Sequence, residues 1–139
     1  GWAWLSTFPD EEAIAKVKRQ GFGKVRDYGP NAPQSVTKLL PLIQATRKRG
    51  FSLTEETYAH GLNAISAPIR LTGQPAMGVI TIAGPNFRLS LKRMKELSPE
   101  LLECCSQLAA SSANSPYINH LKSGDNAFNA GGRKLIYME

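Results

Sequence analysis

The chain has 139 residues, 42% hydrophobic and 20% charged, which is the size and balance of one ordinary domain able to bury its own core. It contains no apolar run near the roughly 18 to 20 residues needed to span a membrane, and no charged, apolar, cleavable leader, so a soluble cytoplasmic protein is expected. The net charge of +6 raises nucleic-acid binding, but the basic residues are spread along the chain, and no groove-reading element or interleaved aromatic pattern accompanies them.

Gly1 is not an initiating methionine, so a fragment of something longer is expected. Cys104 and Cys105 are the only cysteines. Neighbours in a helix point in different directions, and two adjacent thiols cannot staple a fold, which fits a reducing compartment. No further ligands stand near them for a metal.

In chain order, Trp2, Trp4 and Leu5 precede a helix whose first turn is Pro9, Asp10, Glu11 and Glu12 and whose stop is Gly21. Residues 22–35 carry Gly23, Gly29, Pro30, Asn31 and Pro33, and read as a loop with one short extended piece around Val25 to Tyr28. A second helix runs to Arg49 with Val36, Leu39, Leu40 and Ile43 on one face. Pro41 conflicts with a helix interior, so the regular helix is expected to begin near Thr37 or Lys38. The cluster Arg47, Lys48, Arg49 lies in its last turn, where cations complement the helix dipole.

Thr54 to His60 reads as a helical turn. Two runs of strand character follow, Leu62 to Leu71 and Ala76 to Ala83, joined by the turn Thr72, Gly73, Gln74, Pro75. Alternation splits each run into faces. Asn63, Ile65, Ala67 and Ile69 share one side with Gly78, Ile80 and Ile82, an isoleucine-rich face suited to a core. Leu62, Ala64, Ser66 and Pro68 share the other with Met77, Val79, Thr81 and Ala83. That second face is made largely of small side chains, some bearing hydroxyls. It leaves a gap to be filled either by a closely packed helix or by a ligand.

A helical stretch from about Ser90 to Ala110 carries Leu91, Met94, Leu97, Leu101, Cys105 and Leu108, with a kink expected at Ser98, Pro99 and Glu100. From Ala113 onward the periodicity vanishes, and a flexible or irregular tail over 113–139 is expected. Catalytic signals are absent: the only imidazoles are His60 and His120, and there is no nucleophile elbow, phosphate-binding loop or paired carboxylate.

The run Gly50, Thr54, Glu55, Glu56, then Gly61 through Ile69 (GLNAISAPI), followed by Gly84, Pro85 and Arg88, resembles the signature segment of the IclR family of bacterial transcription regulators. The similarity extends over about residues 1–112. It implies an α/β (α+β) effector-binding domain related to GAF and profilin-like folds, with an antiparallel sheet flanked by helices, here without its front strands. The edge so exposed invites association.

It also implies a small organic or aromatic acid as effector, a dimer or tetramer, and DNA contact only through a winged helix-turn-helix outside this chain. No cofactor, metal or membrane partner is implied. The positions that match ligand-contacting places in the family are Thr54, Leu62, Ala64, Thr81 and Ala83. Hydrogen bonds from Thr54, Thr81 and backbone N–H groups to a carboxylate are expected, with the other three setting shape. Many family members carry an acid where Thr54 stands and a cysteine where Ala64 stands, so an effector larger or more apolar than a two-carbon acid is expected. The alternative is an oligomerisation and packing module with no working pocket.

Overall fold

The computed structural model describes residues 1–113 and Ser115. Four helices, α1 (Trp2–Leu5), α2 (Asp10–Gln20), α3 (Val36–Arg49) and α4 (Leu91–Ser112), surround a sheet of β1 (Ser52–Glu55), β2 (Leu62–Ile69) and β3 (Gly78–Pro85). The strands are antiparallel in the order β1-β2-β3.

The β2–β3 register pairs Ile65 with Ile82 and Ala67 with Ile80, so the isoleucine face forms as its alternation requires. α4 packs against it. Ile65, Ala67, Leu89, Met94, Leu101 and Cys105 are buried together there, with Leu53, Ile69, Ile80 and Ile82 packed around them. A second cluster of Leu5, Ala13, Val17, Leu39 and Ile43 joins α1, α2 and α3, with Trp2 and Trp4 against it. α1 also lies against β2 and β3, and α3 against β1.

Several local expectations are corrected. Val25–Asp27 is a 3-10 turn and not an extended piece. The helical turn expected over Thr54 to His60 does not form: Thr54 and Glu55 belong to a strand, because Ser52 to Glu55 find ladder partners in Ser66 to Asn63, and residues 56–60 are bends and a turn. α3 starts at Val36, where the Ser35 side chain accepts a hydrogen bond from the Lys38 N–H, so Pro41 lies inside the helix. Pro41 has no N–H to offer the carbonyl of Thr37, which is an exposed residue.

α4 does not break at Ser98 and Pro99. Pro99 offers no N–H to the Lys95 carbonyl, but the Ser98 hydroxyl donates to that carbonyl at 2.7 Å, filling the missing bond from one residue earlier. Leu91 and Leu108, expected on its apolar side, are 36% and 41% exposed. The expected tail from 116 onward lies outside the described residues.

Candidate effector face of the sheet

The second face of the sheet holds the five residues singled out by sequence. Register places Thr54, Ala64 and Ala83 in one row across the three strands, and Ser52, Ser66 and Thr81 in the next. Leu62, opposite Pro85, lies on the far side of the first row. Side chains directly opposite in an antiparallel pair stand about 4.5 to 5.5 Å apart. The five candidates therefore form one contiguous patch, although 29 positions separate Thr54 from Ala83.

The two rows differ in cover. Ser52 and Ser66 are buried. They point away from α4, so the helices over that end are α1 and α3. A hydrogen bond from the Ala76 N–H to the Thr7 hydroxyl holds the end of α1 beside the start of β3. The Thr54, Ala64 and Ala83 row is more open: Thr54 and Ala64 are half-buried and Ala83 is exposed. A helix thus fills one end of the gap, and the other end is an uncovered shelf of small side chains. Two concavities among the described residues lie elsewhere, one between α2 and α3 lined by Ile14, Val17 and Leu39, the other beside Leu91 and Lys95 on α4.

No ionisable side chain projects from this face of the three strands: its members are Ser52, Thr54, Leu62, Ala64, Ser66, Pro68, Val79, Thr81, Ala83 and Pro85. Its hydroxyls are partly engaged. Thr54 donates to the Ala64 carbonyl at 3.1 Å, and Ser52 to the Ser66 carbonyl at 3.5 Å. The Ser66 and Thr81 hydroxyls are 2.8 Å apart. Of the two threonines expected to hold a carboxylate, Thr54 has its proton committed to the backbone, and Thr81 shares its bond with Ser66, which the sequence reading placed on this face but not among the ligand contacts.

The rim beyond Thr54 and Leu62 is a tight turn. Glu56 has φ +46°, the one positive value at a non-glycine among the described residues. It is held there by bonds from its N–H to the Leu62 carbonyl and the Asn63 side chain. Its carboxylate accepts the Gly61 N–H at 2.8 Å and meets His60 Nδ1 at 2.7 Å. His60 leaves an 85% exposed side chain on this turn.

The loop before α3 clasps the same turn. Asn31 Nδ2 donates to the Glu55 carbonyl at 2.8 Å, the Asn31 N–H to that of Glu56 at 3.1 Å and the Gly29 N–H to that of Thr57 at 3.0 Å. Asn63, buried in the neighbouring strand, accepts from Glu56 and donates to the Leu89 carbonyl at 2.8 Å. The edge of the candidate face is thereby tied to the start of α4.

Comparison with known proteins places this arrangement. Residues 2–110 match the family described as "Bacterial transcriptional regulator IclR C-terminal". The acetate operon repressor of Salmonella typhimurium is 26% identical over 108 residues, 78% of this chain and 38% of that protein. Among solved structures, the IclR protein of Thermotoga maritima superposes with a TM-score of 0.66 at 20% identity, over 79% of this chain and 43% of that one. The inducer-binding domain of the PobR transcription factor from Acinetobacter, a double mutant complexed with 3-hydroxybenzoic acid, superposes with a TM-score of 0.68 at 18% identity, over 78% of this chain and 61% of that one. The chain spans less than half the length of that curated relative. It belongs to the IclR family of bacterial transcriptional regulators, as a segment of their C-terminal domain.

Proposed function

We propose that this segment senses a small organic or aromatic acid for a DNA-binding regulator, with the effector seated on the patch of Thr54, Leu62, Ala64, Thr81 and Ala83, the half-buried Thr81 standing where the open row meets the roofed one. The observation that carries the reading is register: the five positions, chosen by family resemblance, fall into adjoining rows on one neutral face. Apolar contact with Leu62 and the two alanines supplies shape, and hydroxyl and backbone donors fix orientation, the usual composition of a small-molecule site. DNA contact belongs to a winged helix-turn-helix outside these residues, and self-association as a dimer or tetramer brings two such domains together. Its relatives are named as transcriptional regulators, which fits a protein that binds and does not catalyse.

A packing and oligomerisation module is the second reading, favoured by the burial of the Ser52 and Ser66 row under α1 and α3. Isothermal titration with acetate, glyoxylate, benzoate and 3-hydroxybenzoate separates the two. Saturable binding of one acid, abolished by Thr81→Leu, supports the sensor. No binding by any of them, with a dimer that survives dilution, supports the module.

A further inference from the structure

Four hydroxyls stand on the candidate face, and their protons are not equivalent. Those of Ser52 and Thr54 go to backbone carbonyls. Ser66 and Thr81 bond each other at 2.8 Å, and geometry alone allows either to be the donor. Burial favours Ser66 as the donor. Ser66 is 6% exposed, and Thr81 Oγ1 is its hydrogen-bonding partner. If Thr81 donated, the Ser66 proton would be shut away from water without an acceptor, the more costly way to leave a hydroxyl. Thr81 is only half-buried and can give its own proton to water or to a ligand.

Resting on the effector reading above, we infer that Ser66 is a positioning residue for effector recognition: it donates to Thr81 and so turns the Thr81 proton outward as the patch's one unspent hydroxyl donor. The chemistry this selects is an acceptor oxygen, a carboxylate or a carbonyl. Accepting one hydrogen bond also strengthens the next one Thr81 donates. Ser66 itself never touches the ligand. With no cationic side chain on these strands, the polarised hydroxyl is what the face offers an acid.

The test is a double-mutant cycle on the full 139-residue chain with Ser66→Ala, Thr81→Val and the pair, titrated with whichever of acetate, glyoxylate, benzoate and 3-hydroxybenzoate binds the unsubstituted protein best. Thr81→Val is expected to weaken binding about tenfold and Ser66→Ala about threefold. In the Thr81→Val background Ser66→Ala should change nothing further, because its effect passes through Thr81. Thermal melts confirm that all variants fold, and any general loosening from Ser66→Ala would add to the Thr81 loss. Unaltered affinity in Ser66→Ala, or losses that add, overturns the inference while leaving the effector reading intact. An unsubstituted protein that binds none of the four acids removes both.

Discussion

Arg47 Nη1 lies 2.7 Å from Asp10 Oδ1, joining the last turn of α3 to the first residue of α2. The same guanidinium donates through Nε to the Ser6 carbonyl at 3.0 Å and through Nη2 to the Phe8 carbonyl at 2.7 Å. One planar side chain therefore satisfies carbonyls at the end of α1 while pinning the start of α2. It does more than complement the α3 dipole. Gln44 adds a bond from Nε2 to Asp10 Oδ2 at 2.8 Å.

The hydrogen bond from Gln44, then that from Arg47, hold the Asp10 carboxyl below its ordinary pKa of 3.8. A depressed carboxylate stabilises the fold above its unfolded pKa, and that contribution is lost as pH falls through the lower folded value. The melting temperature of the wild type should drop more than that of Asp10→Asn between about pH 5 and about pH 2. Parallel curves for the two proteins would show that the carboxylate contributes nothing. Arg47→Met, which keeps the apolar stem but gives up both carbonyl bonds, should cost about 1 to 2 kcal/mol in denaturant unfolding at neutral pH.

Gly29 permits the clasp over the Glu56 turn. A Cβ at this position would stand 1.9 Å from the Glu56 carbonyl oxygen, so the two backbones could not keep their present approach. Gly29→Ala should cost about 2 kcal/mol or more and should raise amide exchange at Asn31 and Gly29, the donors into the turn. Exchange unchanged at both sites would mean that the loop closes by another route.

Asn63 is buried, with its oxygen accepting from Glu56 and its nitrogen donating to Leu89. Asn63→Leu keeps the branched outline of the side chain and strands both partners, for an expected loss of about 2 to 3 kcal/mol. Thermal or urea unfolding measures it, and a neutral result would remove the link between the β1–β2 turn and α4.

The two cysteines should react at very different rates. Cys104 is exposed and Cys105 is buried, its Sγ 3.6 Å from the Ala67 carbonyl oxygen. Burial, then the neighbouring Cys104, push the Cys105 thiol above its usual pKa, which lowers its thiolate fraction further. Titration with a thiol-specific disulfide reagent should count one fast group in the folded chain and two in denaturant. Two fast groups without denaturant would show that α4 separates readily from the sheet.

The sheet was largely legible beforehand, because side-chain alternation has a period of two and the turn at Thr72 to Pro75 sets which residues face each other. Those same rules already set Ser66 opposite Thr81, yet the pair was missed because resemblance pointed to Thr81 alone. Local composition misled at Thr54 to His60, where acidic residues and a histidine suggest a helix start; pairing with β2 drew Thr54 and Glu55 into a strand, and the residues after them form the tight turn. At Pro99 a Ser-Pro-Glu run read as a new cap, while in the folded helix Ser98 repairs the gap left by the proline.

By itself the sequence determined the two faces of the hairpin, the family of the chain and the patch of small residues, since all three are written in short-range periodicity and spaced identities. Only the tertiary structure decided which part of that patch is roofed. The roof comes from α1 and α3, and the residues of α1 lie roughly 60 to 80 positions before the strands β2 and β3 that they pack against. Helix placement of that kind is settled by the burial of Leu5, Leu39 and Ile43 in a separate cluster, a long-range packing choice that no local pattern in the strands contains.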